Sequence, residues 1–590
     1  MDHKLLRAMR LGGVRDAAGL SALGLSSLMA TSSLSAAPIW AQGLLAASGG
    51  FQMADRLLSP YLARQGIIGE SAIDYAPEGF MDALKGLNLG YAMKDGRPLQ
   101  VPEHLIPYHQ TVVGRSGGGK TVYLFWLILQ QLLRGGGLLM VDAKLDIKTL
   151  YELNSLLKWA GRENDLIVLN PGDWSMSNSY NPLLFGDPDE VAQRPLSLIP
   201  STENDPGADH YKQEANQGLT TLVMALQRAG LAFNFMDLSI LMNSARALDY
   251  LVSQVPESDE KTNLLLWLEK FRRGKVIDVG KLKDTFGGIG GRMFMFGSGG
   301  FGKITSSYNP DLVLFDAIRQ NKIIYVMLPI LAKSVAATNF AKMLVADLRT
   351  AAAWVQSKLP DEEKPNPVFL GLLDEAGAYT SMDWSRAYEQ FRSARISLIS
   401  AMQTFANLDA VSPELTEMVL GNSFSKVFFG LGSQDTADRA AELIGKYYGV
   451  TRTMAEAGSR SESMNILRTS PEQTMGETAS STYSEREQEM HRVSPDLLKG
   501  LGLGEAIVNM GGKDTIHLKV PLFNFGRDLK KAGRDIKINS FFRREKRGIA
   551  LFERASDFIS SEDISEMTKR AKDDDGGARQ GPKKSWVNMG

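Results

Sequence analysis

The run TVVGRSGGGKTVYLFW, residues 111–126, constrains this chain more than any other. A β-like lead-in (Thr111, Val112, Val113) enters a loop with three consecutive glycines. A lysine and a threonine follow, and then a long apolar run. Gly114, Arg115, Ser116, Gly117, Gly118, Gly119, Lys120 and Thr121 match GxxxxGK[ST]. Glycines let successive backbone N–H groups turn inward and form a nest for anionic oxygens. A helix starting at the loop adds the positive end of its dipole. Lys120 is placed to reach the β- and γ-phosphates of a nucleotide, and the Thr121 hydroxyl to ligate Mg²⁺. The alternative is a chance glycine loop, and the strand before and the helix after favour phosphate binding.

Such a loop demands an open α/β sheet, and the rest of the chain supplies one. Short apolar runs alternate with helical stretches: LLMVDAK, DLIVLNP, KIIYVMLPI, VFLGLLDEAG, RISLISAMQ and KVFFGL. Unbroken apolar strands are those covered on both faces, as in a mostly parallel sheet. Residues 121–133 are apolar nearly all round. They are too few to span a bilayer, so they read as a buried helix. Between Asp209 and Arg273 the apolar spacing turns helical, which predicts an inserted all-helical domain. A glycine-rich patch, 287–302, reads as loops. With its basic edges at Arg292 and Lys303 it is a candidate pore loop for a translocated strand. Residues 451–492, rich in Ser, Thr, Glu and Arg, read as a mobile excursion.

A chain of 590 residues exceeds one ordinary core. The expected units are an N-terminal arm (1–85), a nucleotide-binding domain in two parts (86–200 and 311–523), the helical insert (201–310) and a basic, charged tail (524–590). Apolar residues at 44% and charged residues at 23% suit a folded chain. The net charge of −1 means that any basic site is local. The absence of cysteine excludes disulfides, thiol catalysis and Cys-ligated zinc. Six scattered histidines without HExxH give no support to a metalloprotease. Residues 17–54 carry no charge and follow four basic residues. That run reads either as a serine-rich membrane span set by its basic flank or as an amphipathic arm. A signal peptide is set aside because ATP is cytoplasmic.

Beyond the loop, chemistry needs an acid at a strand end. In VFLGLLDEAG, Asp374 is the candidate to hold the magnesium shell and Glu375 to polarise the attacking water. Asp142 competes as a second strand-end acid, with a helix N-cap as its plain alternative. Asp142 and Lys144 are expected to line the neighbouring strand end. Gln403, after RISLISAM, suits a γ-phosphate sensor. Arg392 and Arg395 precede that strand, and in a ring either suits an arginine finger for a neighbour's nucleotide.

Taken together, GRSGGGKT, LLMVDAK, SYNPL (179–183), the helical insert, KIIYVMLP, LLDEAG, FRSARISLISAMQ and GNSFSKVFF resemble the type IV secretion coupling proteins of conjugation systems. Within them the pattern is similar to the DotL/TrbC-like branch, from about residue 86 to 523. The resemblance implies a RecA-like P-loop ATPase using ATP and Mg²⁺, assembled as a homo-hexamer at the cytoplasmic face of the inner membrane. It implies catalytic roles for Glu375, Gln403 and Arg392, and metal roles for Thr121 and Asp374. It implies DNA, a relaxase or protein substrates as cargo, and secretion-channel ATPases and inner-membrane channel components as partners. Two departures stand out: the candidate membrane segment is serine-rich, and only some 65 residues follow the core, too few for a large adaptor platform. The competing readings are an FtsK/HerA-like DNA pump outside secretion and a nucleotide-binding docking receptor with little turnover.

Overall fold

The computed structural model describes residues 86–198, 206–274, 276–463, 474–522, 525–538 and 549–552. Asp95-Gly96, a dipeptide that favours hairpin turns, turns the chain. Gly96 takes φ 68°, and its N–H reaches the Ala92 carbonyl at 2.8 Å. This joins β1 (Gly86–Ala92) to β2 (Pro98–Pro102). The other strands of the main sheet are β3 (Gln110–Val113), β4 (Leu138–Asp142), β5 (Leu166–Leu169), β6 (Ile323–Met327), β7 (Phe369–Asp374), β8 (Ile396–Met402) and β9 (Ser425–Phe429). After a separate ribbon of β10 (Lys446–Ser463) and β11 (Thr474–His491) come β12 (Glu505–Met510) and β13 (Asp514–Lys519).

The sheet has 11 strands in the order β2-β1-β13-β12-β9-β3-β8-β7-β4-β6-β5. From β9 to β5 every neighbouring pair is parallel, and from β2 to β9 every pair is antiparallel. The expected mostly parallel α/β sheet is therefore observed. Alternate side chains of each central strand go to opposite faces. In β4, Leu138 and Met140 join one core while Leu139 and Val141 join the other. This is why these strands read as unbroken apolar runs.

Helix α1 (Lys120–Leu133) is buried on nearly every side. Its polar residues are spent on the sheet. Trp126 Nε1 and Gln130 Nε2 donate to the Asn88 carbonyl at 2.6 and 2.9 Å. Gln131 Nε2 donates to the carbonyls of Gly137 and Val368 at 2.9 and 2.8 Å. Helix α2 (Ile147–Ala160) packs beside it, with Asp146 as N-cap accepting from Lys148 N at 2.9 Å. Asp142 is thus not the cap.

The stretch after β5 is helical. It contains α3 (Pro188–Leu196), α4 (Pro206–Arg228), α5 (Phe235–Leu241), α6 (Ala245–Gln254), α7 (Asp259–Glu269), α8 (Val279–Gly297) and α9 (Gly299–Thr305). The glycine-rich patch read as loops is the end of α8 and most of α9. Gly297 and Gly302 serve close packing: a Cβ on Gly297 would lie 2.8 Å from Met236 N, and one on Gly302 2.5 Å from the Gly297 carbonyl carbon. Arg292 is turned inward to the Leu198 carbonyl rather than to a pore.

The SYNPL stretch ties insert to sheet. Tyr180 Oη donates to Asp347 Oδ2 at 2.7 Å, and Asp347 also pairs with the fully buried Arg194 at 2.9 Å. Asp347 lies on α10 (Ser334–Lys358), which packs against the sheet. Asn181 Nδ2 bridges the carbonyls of Phe233 and Ser307, each at 2.9 Å.

Residues 451–492, read as a mobile excursion, contribute to the β10–β11 ribbon, whose register runs from Lys446↔His491 to Ser463↔Thr474. Past β13, α11 (Arg527–Gly533) docks on α2. Asn154 Nδ2 donates to the Gly533 carbonyl at 2.8 Å and Lys158 Nζ to that of Ala532 at 2.8 Å. Among the described residues no helix is long and apolar enough to cross a membrane. The uncharged segment 17–54 lies outside the described residues.

Candidate active site

The glycine loop leaves β3 at its carboxyl end. Its base is pinned to the strands on either side: Gly114 N–H donates to the Met402 carbonyl at 3.1 Å and Arg115 N–H to that of Gly430 at 2.8 Å. Gly117 and Gly119 take φ 73° and 112°, conformations that a Cβ disfavours. Gly114 has a different reason to be glycine, because a Cβ there would lie 2.6 Å from Phe429 Cβ. Arg115 and Ser116 are exposed, and Gly118 is buried against Phe429 and the Gly504 backbone.

Lys120 opens α1 and is only 5% exposed. Its ammonium is held inside the loop by the carbonyls of Gly114 (2.6 Å) and Arg115 (3.2 Å). Burial lowers its pKa, and the charges of Glu375 and Asp374 oppose that shift. A buried cation in a glycine loop at the N-terminal end of a helix is suited to receive an anion.

Asp374 ends β7 directly beside Asp142 at the end of β4, the two being register partners. Both are buried. Burial pushes the Asp374 carboxyl up, Lys144 counters it, and the Asp142 charge adds to the rise. Burial also raises Asp142, against hydrogen bonds from Lys144 N (2.8 Å) and Tyr325 Oη (2.7 Å). Two adjacent buried acids demand positive charge. Thr121, Asp374, Asp142 and Lys144 line one cleft of ≈ 370 Å³. Its outer wall is Leu522, Phe525 and Lys530, from the chain beyond β13.

Glu375 follows with φ 52°. Its carboxylate accepts from Gln403 Nε2 at 3.0 and 2.9 Å and pairs with Lys144 Nζ at 2.9 Å. Burial acts to raise its pKa, but the bonds from Lys144 and Gln403 outweigh it and hold the carboxyl below its usual range. Gln403 stands at the end of β8, the single strand between β3 and β7. The fold therefore sets Gln403 between the glycine loop and the acid pair.

Arg392 is not with this group. It lies before the first residue of β8, at the other end of that strand, with its guanidinium 3.8 Å from the Tyr108 ring centroid. Seven strand residues separate it from Gln403, about 23 Å at 3.3 Å per residue. Arg395 caps the same short turn with φ 55°. Neither reaches the loop of its own chain.

Three features of the site escape sequence reasoning in whole or in part. Lys144 stands at the neighbouring strand end, as expected, but its bond to Glu375 depends on the register of β4 on β7, which nothing local reveals. Tyr325, mid-strand in β6, is unremarkable until its hydroxyl meets Asp142. The wall residues Leu522, Phe525 and Lys530 carry no local signal either.

Residues 368–501 match the family model described as the TraM recognition site of TraD and TraG, a span that includes Asp374, Glu375, Arg392 and Gln403. Over 446 residues the chain is 25% identical to the Type 4 coupling protein DotL of Legionella pneumophila, covering 67% of this chain and 55% of that protein. The chain thus spans about half the length of this curated relative. Among solved structures, the bacterial conjugative coupling protein TrwBdeltaN70 is similar at TM-score 0.48 and 17% identity, covering 80% of this chain and 94% of its own. TrwB in complex with ADP and Mg²⁺ is similar at TM-score 0.48 and 16% identity, covering 80% and 94%. VirB4 of Thermoanaerobacter pseudethanolicus follows at TM-score 0.41 and 14% identity, covering 75% and 98%. The sequence matches bear out the resemblance drawn from the motifs.

Proposed function

We propose that this relative of the type IV coupling proteins is an ATP-hydrolysing motor that brings DNA–relaxase complexes or protein substrates to a type IV secretion channel and drives their entry. One observation carries the reading: Glu375 is held ionised between Lys144 and Gln403, one strand away from a phosphate loop. A carboxylate so placed is suited to orient and deprotonate water against a γ-phosphate.

The loop from Gly114 to Thr121 cradles the phosphates, with Lys120 turning from its carbonyl partners to the β- and γ-oxygens. Mg²⁺ fits the donors present. Among the described residues no cluster of three or more His, Cys, Asp or Glu forms a protein-built metal cage. Mg²⁺ bound by substrate phosphates and waters needs only the Thr121 hydroxyl and the Asp374 carboxylate. Held by Thr121 and Asp374, it would supply charge neutralisation for the phosphates. Gln403 senses the occupied site through its bonds to Glu375.

Arg392 acts from a neighbouring subunit in a ring. An exposed arginine at the far end of the sheet is of no use to its own site and is available to another. A homo-hexamer on the cytoplasmic face of the inner membrane follows from this reading, with 1–85 as its membrane contact, the insert 201–310 receiving substrate, and channel ATPases and channel components as partners. The Lys144–Glu375 bond also favours a second reading, a docking receptor that turns over slowly until a partner displaces Lys144.

Steady-state ATP hydrolysis with and without DNA, with Glu375→Gln as control, tests the proposal. Turnover stimulated by DNA and lost in the control supports the motor. ATP binding without turnover in any condition sinks it and leaves the receptor.

A further inference from the structure

At the carboxyl ends of β4, β5 and β6, beside the candidate active site, lies a surface that the reading above does not use. Trp174, after β5, is 52% exposed, and the Lys303 ammonium of α9 lies over its ring, 3.9 Å from the centroid. The loop after β6 carries Leu331, fully exposed, and Lys333. Lys333 joins the same patch: a Cβ on Gly300 would lie 3.7 Å from its Nζ and 3.2 Å from the Pro171 carbonyl oxygen. Leu145, after β4, closes the patch with its methyls against Gly172. Lys303 and Lys333 are both exposed, and neither has an ion pair among the described residues. The nearest acid in the loop, Asp173, has its carboxylate engaged by the Ser175 N–H and hydroxyl.

We propose that Trp174, Leu331, Lys303 and Lys333 form a contact surface for single-stranded nucleic acid. The half-exposed indole, with the Lys303 ammonium over one face, offers its remaining surface for a base to stack; Lys303 and Lys333, which rest on the rings of Trp174 and Phe301 and have no ion-pair partner among the described residues, give phosphate contacts without sequence preference. A duplex presents no free base faces along its length, so the indole selects a single strand. The surface adjoins the hydrolysis site by one residue, since Leu145 follows the lysine bonded to Glu375. Its purpose rests on the motor reading, but its test does not.

The test is binding of a fluorescent oligothymidylate to the full chain, read by anisotropy across a salt series. Trp174→Ala is expected to weaken binding about tenfold, the scale of one lost stacking contact, and Trp174→Phe to restore most of it. Lys303→Ala with Lys333→Ala is expected to flatten the slope of log K against log salt by about 1.4, for two phosphates on a single strand. Wild-type affinity and slope in all variants would overturn the proposal, as would wild-type chain that does not bind the oligonucleotide. Loss of binding to an unfolded casein, with oligothymidylate binding intact, would reassign the surface to polypeptide. A wild-type chain that binds in the expected pattern yet never hydrolyses ATP supports the surface and overturns the motor instead.

Discussion

Lys144 Nζ stands 2.9 Å from Glu375 Oε1, so the catalytic candidate of one strand end is held by a lysine from the next. The same carboxylate takes both bonds from Gln403. With Lys144 in place, Glu375 is ionised but not free to turn toward a water. Replacing Lys144 with methionine is expected to raise basal hydrolysis several-fold and to reduce stimulation by cargo. It also moves the acid limb of the pH–rate profile. Glu375 must be deprotonated to act, and its carboxyl now sits below the usual range. Without the lysine, burial dominates, the pKa rises, and activity falls away at a higher pH than in wild type.

Glu375→Gln keeps the bulk and one acceptor but cannot take a proton. Turnover is expected to drop by about a hundredfold or more. ATP affinity, measured by calorimetry, is expected to stay within a few-fold of wild type, because the phosphates rest on the loop and Lys120. Equal loss of both would show that Glu375 serves binding rather than chemistry.

Gly119 combines φ 112° with the Gly504 backbone 3.2 Å from where a Cβ would sit. Gly119→Ala forces the loop to shift and is expected to cost about 1–2 kcal/mol from the backbone conformation alone. Nucleotide binding should fall much further than stability does, since the N–H nest loses its shape. Thermal denaturation beside ATP titration separates the two.

His109 is buried with Nδ1 accepting from Leu398 N–H at 3.0 Å and Nε2 bonded to the Tyr388 carbonyl at 3.0 Å. Burial, opposed by that Tyr388 bond, lowers its pKa from 6.5 to about 4. The neutral ring is therefore the folded form. Its contribution is complete above pH 6.5 and is lost as pH falls toward 4, by about 3 kcal/mol over that window. The difference in melting temperature between wild type and His109→Gln should narrow as pH drops from 7 to 5. A difference independent of pH would refute this account.

Arg194 and Asp347 are a buried ion pair joining α3 to α10. Arg194→Met leaves the carboxylate buried with Tyr180 as its one remaining partner among the described residues, at a cost of about 3 kcal/mol. Hydrogen exchange should show the loss in the insert and in α10 before the glycine loop.

Much of this was legible early. The loop, its strand and its helix follow from local chemistry, because glycine, lysine and a buried apolar helix each act within a few residues. Asp374, Glu375 and Gln403 end apolar strands, and strand ends are where open sheets place ligands. The glycine-rich patch misled because glycine reads as freedom along the chain, whereas in α8 and α9 it serves contact: Gly297 is small so that Met236 can approach. The place of Asp142 and Lys144 at a neighbouring strand end is legible, but their register is not. β4 and β7 lie far apart in sequence, so neither the Asp142–Asp374 pair nor the Lys144 bond leaves a local mark. The docking of α11 depends on Lys158 and Asn154 meeting backbone carbonyls, and charge alone made that segment look like tail.

The sheet closes late in the chain. β1 pairs with β13, Tyr91 opposite Lys519, and the cleft wall comes from Leu522, Phe525 and Lys530. A nascent polypeptide still tethered to its ribosome can hold every residue from Gly114 to Gln403 and yet lack that wall and the partner of its first strand. The cleft beside the glycine loop is therefore completed only when residues beyond β13 have joined the fold.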